Sequence, residues 1–269
     1  MKPRMKVVQA AHYGTWFLGT RCSRFVDLVF VVGYPKSGTT WACQLVADYL
    51  QLPFPRFSLL PVGCTAVVHG HERVWRSYPR GVYVMRDGRD VLVSKYFMHL
   101  KGMPDGEHPQ LLRWQRKLFP GFVSKNDHRA NLQGFVARQL KKPSSSRVNW
   151  GDHVRSYFES NHPRMGEVRY EALLDDGPTA LANAVAATGD DEPCLDRAKD
   201  SIRRFSFARQ SGRTPGQSDN NAFLRKGQSG DWRNHFTRAT AQIFNDACGD
   251  VLVEAGYEAN RDWVNQCSD

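Results

Sequence analysis

Three observations predict an α/β fold in three layers, with a central parallel sheet flanked by helices. Val26 to Val32 is a nearly unbroken β-branched and aromatic run, the composition of a strand buried on both faces. Gly33 to Trp41 is a glycine-bearing turn, after which Trp41, Leu45, Val46, Tyr49 and Leu50 recur at helical spacing until Pro53 ends the run. Further strands then alternate with helices at an interval that favours parallel pairing through helical crossovers.

The chain has 269 residues, and one domain over 1–269 is expected, with a lead-in at 1–25, an insertion or lid at 101–149 and a binding loop at 211–230. Hydrophobic residues at 41% and aromatics at 12% fit a sizeable core rather than a disordered chain. The formal net charge of +10 suits anionic small molecules, acidic polymers or anionic surfaces without choosing among them, and most of the 37 Lys and Arg read as solvated surface. Six scattered cysteines, with no metal-ligand spacing, read as free thiols in a reducing compartment. No apolar segment approaches the roughly 18 to 20 residues of a membrane span, and polar residues break Val7 to Gly19 as a secretion signal. A cytoplasmic protein with no nucleic-acid partner is therefore expected. Its oligomeric state is not readable, and there is no internal repeat.

In chain order, residues 1–25 form a basic, partly helical lead-in whose Trp16-Phe17 pair either packs on the core or borders a site. A proline-punctuated connection over 52–62 leads to the strand Ala66-Val67-Val68, which ends in His69-Gly70-His71. A third strand runs from Gly81 to Arg86, and Asp87 to Asp90 turns into a helix over Val91 to Leu100. Parallel sheets bind ligands beyond the carboxyl ends of their strands, so the loop after Gly33, the two histidines and Arg86 are expected at one crevice. Segment 101–149 is irregular, with helix near 110–118 and 132–140 and a flexible point at Ser144 to Ser146. After a helix over 152–159 comes a strand over 166–171, then helices near 178–188 and 195–204. A surface loop over 211–221 precedes the stretch 223–232, and a final helix spans 238–254.

The turn at 33–41 aims backbone N–H groups and the positive end of a helix dipole at one point, which suits a phosphate or sulfate. Its spacing is P-loop-like, because Gly33 and Gly38 are four residues apart and Thr39-Thr40 follow. The position after the second glycine, however, is Thr39 rather than lysine. The lysine is Lys36, in the crown of the loop, so no Lys-Ser/Thr pair is left to hold a β/γ-phosphate with its magnesium. This argues for a P-loop-like fold serving a different nucleotide donor, with no metal implied.

Several separated motifs, in order over about residues 26 to 237, resemble the cytosolic-type sulfotransferases, which use 3′-phosphoadenosine 5′-phosphosulfate as donor. Tyr34-Pro35-Lys36-Ser37-Gly38-Thr39-Thr40-Trp41 resembles the family's 5′-phosphosulfate loop. Arg86, with Ser94 eight residues on, is similar to its 3′-phosphate site. Arg225-Lys226-Gly227 with Gly230-Asp231-Trp232 is similar to its C-terminal signature, whose Arg, Lys and Gly also hold the 3′-phosphate. Tyr170-Glu171 and Ser206-Phe207 resemble positions near the adenine, and Trp150 with His153-Val154 a segment close to the acceptor pocket. Three departures stand out. Arg86-Asp87-Gly88 replaces the family's Arg-Asn-Pro, the proline after its catalytic histidine is missing, and 101–149 matches little.

The resemblance implies sulfuryl transfer from that donor to a hydroxyl of a small-molecule, lipid or glycan acceptor, with adenosine 3′,5′-bisphosphate as product. Lys36 would stabilise the leaving group, and the backbone N–H groups of Ser37 to Thr40 would hold the 5′-phosphosulfate. The general base falls in His69-Gly70-His71-Glu72, where position favours His71 with His69 in place of the family's lysine. An unperturbed pKa of about 6.5 lets a histidine take a proton near neutral pH. The competing readings are a P-loop kinase, against which Thr39 stands, and a non-catalytic binder of acidic polymers.

Overall fold

The computed structural model describes residues 28–55, 65–74, 76–103, 109–189, 192–219 and 224–268, with 14, 17, 19–21 and 222. The predicted beginning of the first strand at 26–27, Trp16 and most of the 52–62 connection lie outside these. The chain forms two compact units, one from Met1–Met85 and Ser156–Gln210, the other from Arg86–Arg155 and Ser211–Asp269. No helix among the described residues is long and apolar enough to cross a membrane.

The first unit holds the parallel sheet, of strands β1 (Leu28–Gly33), β2 (Ala66–Gly70), β3 (Gly81–Met85) and β4 (Met165–Arg169), in the order β2-β1-β3-β4. β1 is central and all six of its residues are buried, as its β-branched composition requires. Alternate residues serve opposite faces. Val29 and Val31 pack with Val67, Val82, Val84 and Val168 against helices α1 (Thr39–Leu50), α7 (Gly177–Ala186) and α8 (Leu195–Arg204). Each such side chain contributes about 1.5–3 kcal/mol by leaving water. On the other face Phe30 meets Tyr78 at 4.7 Å between ring centroids, and Tyr83 stacks on Tyr157 at 4.2 Å.

Gln51, in the left-handed conformation, ends α1 at Leu50, the last residue of its expected apolar pattern, with its N–H on the Ala47 and Asp48 carbonyls. β4 stops at Arg169, and Tyr170-Glu171, expected in the strand, open helix α6 (Tyr170–Asp175). The reason is register: Arg169 pairs with Met85, the last residue of β3, so Tyr170 has no strand partner beyond it.

The second unit is helical: α2 (Gly88–Lys101), α3 (Pro109–Leu118), α4 (His128–Lys141), the start of α5 (Trp150–Ser160) and α10 (Arg238–Glu254), with 3₁₀ turns at Asp231–Asn234 and Arg261–Gln266. Short α9 (Phe207–Ser211) ends at the boundary between units. α10 has the predicted bounds, capped by Thr237, whose side chain accepts from the Thr240 N–H. α2 begins three residues before the expected Val91, because Asp87 caps it by accepting from the Arg89 N–H at 2.9 Å. α4 begins earlier than expected for the same reason, Asp127 accepting from the Ala130 N–H. α4 packs along α10, and Tyr96 of α2 sits among Phe97, Phe119 and Phe135. Ser144, expected at a flexible point, is bound through its N–H and hydroxyl to Gln139 Oε1 and lies 2.8 Å from His99 Nε2.

Candidate active site

The anion loop follows β1 in the first unit. Lys36 takes φ +80, an unusual conformation for a side-chain-bearing residue, and the Ser37 N–H donates to the Tyr34 carbonyl at 3.0 Å, closing the crown of the loop. Ser37, expected to offer its N–H to a ligand, therefore uses it inside the loop. The N–H groups of Gly38, Thr39, Thr40 and Trp41 belong to the first turn of α1, where no intrahelical acceptor exists. The hydroxyls of Ser37 and Thr39 are buried with no hydrogen-bond partner among the described residues. Buried orphan hydroxyls beside first-turn N–H groups fit an anion that has no counterpart in the bare chain.

Gly38 caps the helix at φ +90, and a Cβ there would come within 2.7 Å of Tyr170 Cδ2. Tyr170 thus lies against the loop, edge-on to Trp41 at 5.9 Å, and Trp41 Nε1 donates to the Phe205 carbonyl at 2.8 Å. The fold so brings Tyr170 and the Phe205-Ser206-Phe207 turn to the glycine turn that opens α1. Ser206 Oγ there accepts from the Arg209 N–H at 3.4 Å.

His71 follows β2, and its Nδ1 donates to the carbonyl of Gly33, the first residue of the loop, at 2.6 Å. A proton committed to Nδ1 leaves the lone pair on Nε2. The backbone N–H of His71 donates to Glu72 Oε2 at 3.0 Å, and the ring of His69 stands edge-on to that of His71 at 4.4 Å.

The second unit gathers the other basic residues. Arg86 is buried, lies 3.9 Å from Asp90 and donates from Nη2 to the Gln228 carbonyl at 3.2 Å. Asp90 accepts from the N–H groups of Gly230 at 2.6 Å and Trp232 at 2.9 Å, so the 228–232 turn is tied to the first turn of α2. Burial raises the Asp90 carboxyl pKa, against the opposing pull of Arg86. Beside it Arg89 is held by Asp87 and Glu258 and lies over the rings of Trp232 and Trp263. Arg225 stacks on Phe97 at 4.7 Å, Lys226 Nζ meets Asp231 Oδ1 at 2.5 Å, and Gly227 turns the chain at φ +64. Ser94 is half-buried in α2 and makes no hydrogen bond to Arg86 among the described residues.

The sulfotransferase domain family matches residues 65–256, more than half of the chain. The chain belongs to the sulfotransferase domain family. It is 27% identical over 262 residues to sulfotransferase 1E1 of Cavia porcellus, covering 81% of this chain and 80% of that protein. It is 26% identical over 264 residues to a 3-beta-hydroxysteroid sulfotransferase of the same organism, covering 84% and 83%. Among solved structures, mouse sulfotransferase SULT7A1 complexed with PAP aligns with a TM-score of 0.61 at 20% identity, over 91% of this chain and 89% of that one. Retinol dehydratase in complex with androsterone and inactive cofactor PAP aligns at 0.57 and 19%, over 84% and 80%. At these identities the two structures bear on the fold, which is the P-loop-like sulfotransferase fold.

In this sulfotransferase Trp150 and His153-Val154 are buried inside their unit, where Trp150 Nε1 donates to the Arg86 carbonyl at 3.0 Å and its ring fills the space above Gly88. The surface loop after Ser211 lacks regular structure and is pinned by Arg213, which donates to the carbonyls of Gln217, Leu224 and Arg225. The sequence reading missed Asp90, Arg213 and the pairing role of Asp231. Asp231 lay in view within Gly230-Asp231-Trp232, but Arg213 carries no local signal at all.

Proposed function

We propose that this sulfotransferase moves the sulfuryl group of 3′-phosphoadenosine 5′-phosphosulfate to a hydroxyl of a small organic acceptor, with His71 as general base. When bound, the donor supplies the sulfuryl group and departs as adenosine 3′,5′-bisphosphate. His71 Nε2 takes the hydroxyl proton, its ring held by the Nδ1–H bond to Gly33. That bond carries the choice of His71 over His69, because it both sets the tautomer and ties the base to the donor loop. Lys36 meets the charge that develops on the departing phosphate oxygen, and the first-turn N–H groups of α1 with the hydroxyls of Ser37 and Thr39 hold the 5′ end. Pro35, Thr40 and Trp41 complete that loop, while Tyr170, Ser206 and Phe207 serve the adenine. Arg86, Arg225, Lys226 and Gly227 take the 3′-phosphate, with Ser94 as a lesser contributor. No step needs a metal.

The acceptor is an apolar alcohol or phenol, a choice supported by the steroid and retinoid names among the relatives; a lipid or glycan alcohol is the wider class. The protein works as one sulfotransferase domain over 1–269, since the family match runs through both units, and a cytoplasmic setting would keep its scattered cysteines as thiols. Thermal unfolding with and without adenosine 3′,5′-bisphosphate, followed by sulfuryl transfer from labelled donor to a panel of phenols and sterols, tests the proposal. Stabilisation by the nucleotide and a labelled product are expected. Neither stabilisation nor transfer to any acceptor would reject the reading.

A further inference from the structure

Asp231 opens the 3₁₀ turn Asp231–Asn234 and is buried. Its two oxygens are divided among four donors. Oδ1 accepts from Lys226 Nζ at 2.5 Å and Asn234 Nδ2 at 3.0 Å, while Oδ2 accepts from Arg225 Nη2 and lies 3.2 Å from His235 Nε2. A carboxylate offers about four lone-pair sites, so this one is saturated. Burial by itself would raise its pKa, but the bonds from His235, Lys226, Arg225 and Asn234 outweigh burial and hold it well below the usual carboxylate range.

The two cations are restrained from other sides as well. The Arg225 guanidinium lies on the Phe97 ring, and the Arg225 carbonyl accepts from Arg213 Nη1 at 3.0 Å and the Asp219 N–H at 2.8 Å. The Lys226 carbonyl accepts from the Gly216 N–H at 2.9 Å. Arg and Lys side chains carry large rotamer freedom, which a bound phosphate would otherwise have to freeze. Here one bridging carboxylate has already frozen both. Two cations against one carboxylate still leave a positive balance for an incoming anion, and most of the five guanidinium N–H donors of Arg225 remain for it.

We infer that Asp231 is a positioning residue for donor recognition: it locks Arg225 and Lys226 into the geometry that receives the 3′-phosphate. The inference rests on the sulfotransferase reading above. It goes beyond the assignment of the two cations by naming what aims them.

The test compares adenosine 3′,5′-bisphosphate with adenosine 5′-monophosphate, whose affinity ratio reads recognition of the 3′-phosphate alone. In Asp231→Asn the bisphosphate should bind about tenfold more weakly, the loss of a charge-assisted bond set, while the monophosphate stays within about twofold. The donor KM should rise and kcat at saturating donor should hold. Equal weakening of both nucleotides would mark a purely structural role, and unchanged or tighter bisphosphate binding would make Asp231 a competing anion; either overturns the inference. If D231N does not fold, Asn234→Ala removes one neutral donor from Oδ1 and should lower the same ratio by about threefold. An unchanged ratio there is equally fatal. Wild-type protein that binds neither nucleotide would instead overturn the sulfotransferase reading, and the inference with it.

Discussion

At the scale of single residues the proposed chemistry rests on Lys36 and His71, which the chain presents in different ways. Lys36 sits at φ +80 in the crown of a closed turn, and His71 is aimed by a 2.6 Å bond to Gly33. Removing a general base costs about 10²–10⁴ in rate, and removing a charge-stabilising donor about 10²–10³. His71→Ala and Lys36→Ala should therefore each lose at least about a hundredfold in kcat with an unchanged circular dichroism spectrum, whereas His69→Ala should keep most of its turnover. Sulfuryl-transfer rates of the three variants check this, and a His69 variant as damaged as the His71 variant would reassign the base. Lys36, Arg86 and the Arg225-Lys226-Gly227 run could be proposed from sequence because each sits in a short contiguous motif. Asp90 and Arg213 were not, because their meaning lies in backbone groups 140 and 12 residues away.

At the scale of elements, the junction of loop and α1 carries the strictest backbone demand. Gly38 holds φ +90 at the helix cap with the Tyr170 ring where a Cβ would go. A left-handed residue with a side chain costs about 1–2 kcal/mol, and displacing the ring adds to it. Gly38→Ala should lose about 1–3 kcal/mol in urea unfolding and bind adenosine 3′,5′-bisphosphate more weakly. A fully stable variant with native nucleotide affinity would show that the close approach of Tyr170 is unimportant. Most elements were readable from periodicity, α10 to the residue. The end of β4 and the starts of α2 and α4 were not. Strand ends depend on the length of the neighbouring strand, and helix ends on caps whose geometry composition only hints at.

At the scale of the whole molecule, stability should carry a signature from Lys95, which is fully buried in α2 and whose pKa burial lowers to about 8. Unfolded lysine titrates near 10.4, so between about pH 8 and 10.4 the unfolded chain binds more protons and stability rises with pH, by about 3 kcal/mol in total. Tyr96, Tyr157 and Cys248, whose pKa values burial pushes up to about 12, act in the opposite sense at the alkaline end, so the Lys95 contribution is read as a difference between variants. Lys95→Met should lack the rise, as followed by urea unfolding across that range. Parallel pH profiles in the two proteins would show that Lys95 keeps its ordinary pKa.

The sequence by itself determined the parallel α/β sheet, the glycine turn at 33–41 and the basic residues proposed for a two-phosphate donor, because strand and helix periodicities and short motifs are local properties of the chain. Only the tertiary structure decided that His71 bonds the loop, that Trp150 is core, and that Asp231 binds Arg225 and Lys226 together. Those outcomes rest on hydrogen bonds and close packing, which form or fail within tenths of an ångström and are fixed only when segments far apart in sequence are brought together.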